Sequence, residues 1–227
     1  MARPEGDHAA ILRAGRWKEA VQGYLAAISY ADAMIGRLID ALDRSADRDD
    51  TLIVLWGDHG WHPGEKRHWR KFALWEETPR APLLWVVPGS PGRARSASAP
   101  WTSLGIDPML TDLWGLPTPG HVEGRSLRQL LGDPTAPWDH PALTTYRYRN
   151  HAVRTEGWCC IRYADGGEER DDEAADPDER THLAGDPRHA ATKAGLAKAP
   201  PARYHPDIGR RRGGGATRQA AREEGDR

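Results

Sequence analysis

Cysteine is nearly absent from this chain. Its 227 residues include only two, the adjacent pair Cys159 and Cys160. Neighbouring cysteines rarely bridge each other, so no disulfide framework is implied and the redox compartment stays open. Net charge is lacking too: 32 Lys and Arg nearly cancel 33 Asp and Glu. That balance gives no reason to expect nucleic acid as the main partner, and any electrostatic function must come from local clusters. No run approaches the roughly 20 apolar residues that cross a bilayer, so no membrane role is expected. The first residues, "MARPEGDHAAILRAGRW", contain no apolar core of a secretory signal, which makes a cytoplasmic location the default expectation. Hydrophobic residues are only 38% of the chain. The length suits one domain or a domain and a half.

What is present is periodicity. From Trp17, apolar or small residues fall at 17, 21, 24, 28, 31, 35, 38 and 42. Steps of four and three mark one face of a long amphipathic helix, with Trp17, Tyr24 and Ile28 in its core. "DRDD" ends it, and "TLIVLW" (Thr51–Trp56) follows. Its β-prone residues do not alternate, which predicts a strand buried on both faces. A second such strand is expected at about Leu83–Val87, after a short helix near Phe72–Thr78. Helix, buried strand, helix and buried strand together read as α/β with a largely parallel sheet. In such sheets ligands bind beyond the carboxyl ends of the strands. Further on, "SLGIDPMLTDLWGLP" predicts a helix stopped by Gly115 and Pro117, and "GRSLRQLLG" one more helical turn.

From Pro141 the pattern changes. "ALTTYRY", "HAVRTE" and "WCCIRYADGG" read as short strands joined by turns, a small antiparallel sheet. "GEERDDEAADPDER" reads as a charged loop, and "DPRHAATKAGLAKA" as a terminal helix capped by Asp186. Three segments are expected: an α/β part over 1–140, a small antiparallel subdomain over 141–198, and a disordered tail over 199–227. The tail's "RRRGGG" reads as solvated, with contact to RNA or acidic surfaces as the alternative. Cys159 and Cys160 read as strand residues, since nothing nearby marks an activated thiol. His151 reads as structural, with a reach toward a site as the alternative.

The densest chemistry follows the first strand. Between Gly57 and Lys71, "GDHGWHPGEKRHWRK" packs three His, two acidic and four basic residues into fifteen. A carboxylate and an imidazole at Asp58 and His59, flanked by glycines at a strand end, can point into one cleft. They offer oxygen to a divalent cation and nitrogen to a metal or an anion. The plainer alternative is a turn capped by Asp58. His59 and His62, with His68 or Glu65, also admit a zinc site, although no helix aligns them. Lys66, Arg67, Arg70 and Lys71 would clamp a doubly charged anion such as a sulfate or phosphate ester, or form a solvated face. One of the four is expected to be a ligand.

The stretch "GDHGWHPGEKRHWRKFALWEETPRAPLLWVVPG" closely resembles the sulfatase family of the alkaline phosphatase superfamily, in the branch of iduronate-2-sulfatase-like and choline-sulfatase-like proteins. "YLAAISYADAMIGRLIDALD", "LTDLWGLPTP…VEGRSLRQLL", "NHAVRTEGW…IRYADG" and "ADPDERTHLAGDP" extend the resemblance over about residues 17–198. It implies a partial alkaline-phosphatase-like sheet flanked by helices. It implies Asp58 as a ligand of a catalytic calcium, with His59 a further ligand or a hydrogen bond to a substrate oxygen. Lys71 would contact the substrate sulfate, and His68 and Trp69 would shape the pocket. In the family a cysteine is converted to formylglycine, whose hydrate attacks sulfur while calcium polarises the sulfate oxygens.

Other features depart from the pattern. The family's C-x-P-x-R nucleophile segment is not in this sequence, and Cys159-Cys160 lies far downstream. The paired aspartates that complete the calcium site have no counterpart, since "DRDD" precedes a strand. Pro63, Gly105 and "GEERDDEAADP" replace Leu, Asp and a more apolar segment. The expectation is therefore the C-terminal portion of a sulfatase, with no catalytic nucleophile and an incomplete calcium site. It would act on a sulfate ester, a sulfated sugar among the candidates, together with a separately encoded N-terminal half. Taken alone, the chain should be marginally folded and without turnover. The alternatives are a non-catalytic remnant or anion-binding module, and a phosphate or phosphonate monoester hydrolase of the same superfamily.

Overall fold

The computed structural model describes residues 6–90, 94–201 and 204. Most of the tail beyond 199, with its expected disorder, lies outside the described residues. The chain opens with α1 (Asp7–Ala14), ended by Gly15 in the left-handed conformation at φ 64°. The long helix α2 (Trp17–Asp43) follows, as its apolar period requires. None of its residues is buried. Val21, Tyr24, Ile35 and Leu42 of the apolar stripe are half-covered, while Ile28 and Leu38 are 49% and 70% exposed. The core expected at Trp17, Tyr24 and Ile28 is thus only an edge. Tyr24 stacks on Trp61 at 6.0 Å, Trp17 meets Trp69 edge to face at 5.5 Å, and Ile28 is left bare.

Strand β1 (Ile53–Trp56) leads into the motif loop, where β2 (His62–Pro63) and β3 (Trp69–Arg70) form a minimal hairpin. Strand β4 (Leu83–Val86) then pairs with β1, Ile53 opposite Val86 and Trp56 opposite Leu83. The pairing is antiparallel, not parallel as expected. The connection over 57–82 doubles back to the same edge, with the Gly57 amide donating to the Pro82 carbonyl at 3.0 Å, and never crosses over as a parallel link must. These strands are also not buried on both faces: Trp56, Leu84 and Val86 are all more than half exposed.

The helix expected near Phe72–Thr78 is a series of turns. Ala73, Leu74 and Trp75 are consecutive and all buried. A helix would rotate one of three successive residues away from the core, whereas the turns put all three against the C-terminal sheet. Beyond β4 come α3 (Ile106–Leu113) and α4 (Arg128–Gly132). Met109, Leu127 and Leu130 bury themselves there against Leu83 and Trp85.

The C-terminal sheet is an antiparallel meander of β5 (Ala142–Thr145), β6 (His151–Arg154), β7 (Trp158–Arg162) and β8 (Glu168–Asp172). Strand β8 corrects the charged-loop reading of this segment. Full register with β7, from Trp158–Asp172 to Arg162–Glu168, satisfies the backbone, and backbone pairing overrides the polarity of the side chains. Arg170, 1% exposed, donates to the carbonyls of His189 at 3.0 Å and Asp186 at 3.2 Å. Helix α5 (Ala190–Leu196) closes the described fold, after a turn in which Asp186 caps the Arg188 amide. Ala152, Cys159 and Ile161 of the sheet share one core with Ala73–Trp75, so the motif loop is anchored on the C-terminal sheet. No helix among the described residues is long and apolar enough to cross a membrane.

Candidate functional site

The loop after β1 is fixed by close backbone contact. The Gly60 amide donates to the Thr78 carbonyl at 2.6 Å. A Cβ on Gly60 would lie 2.2 Å from the Glu77 oxygen and 2.3 Å from that of Arg80, so no other residue fits. Gly64, at φ 125°, lies under the Trp17 ring, which a Cβ would meet at 2.3 Å. Beyond these points three basic residues take positive φ: Lys66 at 49°, Arg67 at 56° and Arg70 at 72°. Such conformations cost on the order of 1 kcal/mol each and persist where the surroundings over-determine them, often at functional sites. Here the surroundings are the β2–β3 pairing, Gly64 beneath Trp17, and Arg70 Nε held 2.8 Å from Asp7 Oδ2.

The result brings Asp58, His59 and Lys71 together. His59 Nδ1 donates to the Gly60 carbonyl at 2.7 Å, which leaves Nε2 as the acceptor. Lys71 Nζ donates to that Nε2 at 2.7 Å, and Asp58 Oδ2 lies 3.4 Å from it. Asp58 is open to solvent, and the imidazole is mostly covered. A carboxylate, an imidazole and an ammonium therefore converge at the carboxyl end of β1.

Two of the other basic residues serve elsewhere. Lys66 turns inward, 3.3 Å from Glu179 and 5.1 Å above the Trp75 ring, and Arg70 pairs with Asp7. His68 belongs to an inner aromatic cluster, 5.2 Å edge-on from His62 and 5.7 Å from Trp75. Its Nε2 is buried without a hydrogen-bond partner among the described residues, as are both ring nitrogens of His62. Burial, then the nearby His68 and Lys66, lowers the His62 pKa to about 4. Burial also lowers that of His68. His59, His62, His68 and Glu65 do not gather as a zinc site. Among the described residues, the group of three or more metal-binding side chains in mutual reach is Cys159, Glu173 and Glu179.

Calcium takes six to eight oxygen ligands, several of them carboxylate. At the carboxyl end of β1 the loop offers the carboxylate of Asp58, and among the described residues Asp58 belongs to no group of three metal-binding side chains in mutual reach. These residues do not by themselves make a calcium site.

Sequence reasoning missed the acidic interior beneath β8. Asp171, Glu173 and Glu179 are buried. Burial pushes Asp171 up to about 6 and Glu173 and Glu179 up to about 7. The available signal was the period-two run Glu169, Asp171, Glu173 after a Gly-Gly turn, a strand pattern with acids on its inner face.

The Sulfatase family model matches residues 3–115. A sulfatase of Formosa agariphila is 41% identical over 168 residues, which are 74% of this chain and 33% of that protein. The choline-sulfatase of Rhizobium meliloti is 34% identical over 184 residues, 77% of this chain and 35% of its own. A solved structure described as bound to its substrate, D-glucosamine-2-N,6-O-disulfate, superposes with TM-score 0.70 at 28% identity, over 77% of this chain and 38% of that one. The chain thus spans about a third of the length of the curated relatives it matches. With the glycine-braced GDHG loop at the end of β1, these matches place the chain in the sulfatase family.

Proposed function

We propose that the chain contributes one wall of a sulfuric ester hydrolase site, with Lys71 and His59 facing the sulfate and Asp58 facing a metal. The observation that carries this reading is the convergence of Lys71 Nζ and Asp58 Oδ2 on His59 Nε2, at 2.7 and 3.4 Å. A sulfate monoester presents anionic oxygens, which an ammonium stabilises at short range and which a carboxylate tolerates only with a cation between them. Calcium, when bound, would polarise those oxygens. Asp58 is the ligand this loop offers it, and the remaining ligands and the nucleophile come from residues beyond this chain. His68 acts from behind the wall, packing against Trp75. Relatives described as sulfatases and a similar solved structure described as bound to its substrate, a sulfated amino sugar, support a sulfated sugar as the substrate class. The bare stripe of α2 and the open β1–β4 ribbon are the surfaces that the remaining polypeptide would cover.

The test is made on the chain alone. With an aryl sulfate and calcium, no turnover above buffer is expected, and turnover abolished by Asp58→Ala would refute the division of labour. In nuclear magnetic resonance titrations with inorganic sulfate, the His59 ring signals should shift, and Lys71→Ala should remove the shift. An unchanged titration in Lys71→Ala would refute the sulfate wall. A stronger response to phenylphosphonate than to sulfate would move the substrate class to phosphonate monoesters.

A further inference from the structure

Behind the loop, on the far side of Ala73–Trp75, lies a polar interior that the proposed chemistry does not use. Cys159 on β7 and Glu173 and Glu179 beyond β8 each bring one ligand atom within 4.8 Å of the others. All three are at least nine-tenths buried. Compensation is short. Arg154 spends its best contacts on Glu76, at 2.9 and 3.2 Å, and reaches Glu173 Oε2 only at 3.7 Å. Lys66 Nζ lies between Glu179 Oε2 at 3.3 Å and Glu169 Oε2 at 3.9 Å. Two cations thus face Glu76, Glu169, Asp171, Glu173 and Glu179, leaving three negative charges in excess when all are ionised. A separate observation marks where a further partner belongs. Glu173 Oε1 is buried and has no hydrogen-bond partner among the described residues, on a side chain only 3% exposed. A buried carboxylate oxygen left bare is costly unless a proton or a cation meets it.

The geometry points to a soft divalent cation, zinc by its chemistry, bound by Cys159 Sγ, Glu173 and Glu179 with a water in the fourth position. A thiolate ligand selects zinc over calcium or magnesium, which prefer oxygen alone. Tetrahedral zinc holds its ligands roughly 3.5 Å apart, so side-chain rotations must draw together atoms that now lie within 4.8 Å of one another. On binding, Cys159 gives its thiol proton to the buffer, and the cation's two charges offset the new thiolate and part of the carboxylate excess. Cys159 and Arg154 also line a cavity of about 270 Å³ with Glu76, Ser98, Thr144 and Ala152, which supplies a path from solvent. Such an ion would tie β7 to the segment after β8, a structural role distinct from the surface site at Asp58.

Cobalt is the probe. Titrating the full chain with Co²⁺ should give one ion per chain and a near-ultraviolet sulfur-to-cobalt charge-transfer band. Zn²⁺ should displace it, and Ca²⁺ in large excess should not. Cys159→Ser should lose the band, and Cys160→Ser should keep it. Glu179→Gln should weaken binding roughly tenfold or more, since even outer partners of a metal carry that much. If Cys159→Ser fails to fold, judged by loss of β-sheet circular dichroism, Glu173→Gln takes its place and should also weaken Co²⁺ binding. The proposal is overturned by no uptake, by a band that follows Cys160, or by affinity indifferent to both Glu173→Gln and Glu179→Gln. In that case protons alone satisfy the buried carboxylates.

Discussion

The loop after β1 and the interior beneath β8 are both dense in ionisable side chains, and they treat them in opposite ways. The loop holds Asp58 out in solvent and braces it with glycines and strained backbone. The interior covers Asp171, Glu173 and Glu179 and lets burial raise their pKa. Within the loop itself the covered imidazoles shift the other way, downward. Burial favours the neutral form in every case, so acids go up and bases go down. Charge density alone does not distinguish a reactive surface from a core that needs a counter-ion. The side of the fold that the charges face does.

Leu74 stands between the two regions, fully buried in their shared core. Leu74→Ala should cost about 4 kcal/mol, read by urea unfolding. The near-ultraviolet signal of the loop's tryptophans and the far-ultraviolet signal of the sheet should fall together. Separate transitions would show that the two regions are independent. Next in size is a pH effect confined to the loop. The folded pKa of His62 is depressed from 6.5 to about 4. Its contribution to stability is therefore complete above 6.5 and is lost as pH falls toward 4, on the order of 3 kcal/mol in all. His62→Phe should flatten that part of the stability–pH curve, and an unchanged slope would assign the effect to other groups. The smallest effect is at Arg70. Arg70→Gly removes an exposed ion pair with Asp7, worth about 0–1 kcal/mol. It also relieves a left-handed φ of 72°, worth a similar amount. Stability should stay within about 0.5 kcal/mol, and a clear gain would show that the strain outweighs the ion pair.

Local pattern carried much of this fold. The step of four and three in α2 and the unbroken apolar runs of β1 and β4 set boundaries within a residue or two of those found, and the β5–β7 strands begin where the pattern put them but end earlier. Asp58 and His59 were singled out because glycines at a strand end already say where the backbone must pass, whereas Lys71 was picked from four basic residues only by the resemblance. What stayed hidden depended on partners. Nothing in the α2 period tells whether Ile28 meets a neighbour, and nothing in two apolar strands tells which way they run. The turns at 72–78 follow from three adjacent residues all being needed in one core, which no single-segment rule contains. Strand β8 was masked because its side chains read as solvent-loving, while its backbone needed only β7 beside it.

The contact at Gly60 has a dynamic consequence. Its amide proton, held by the Thr78 carbonyl at 2.6 Å, can exchange with solvent only when the strand end and the returning segment part. The same parting would release His59, whose Nδ1 is tied to the carbonyl of that same glycine, and with it the hold on Lys71. One slow-exchanging proton therefore acts as a clock for the whole wall: the interval between its openings is the lifetime of the arrangement that faces the anion.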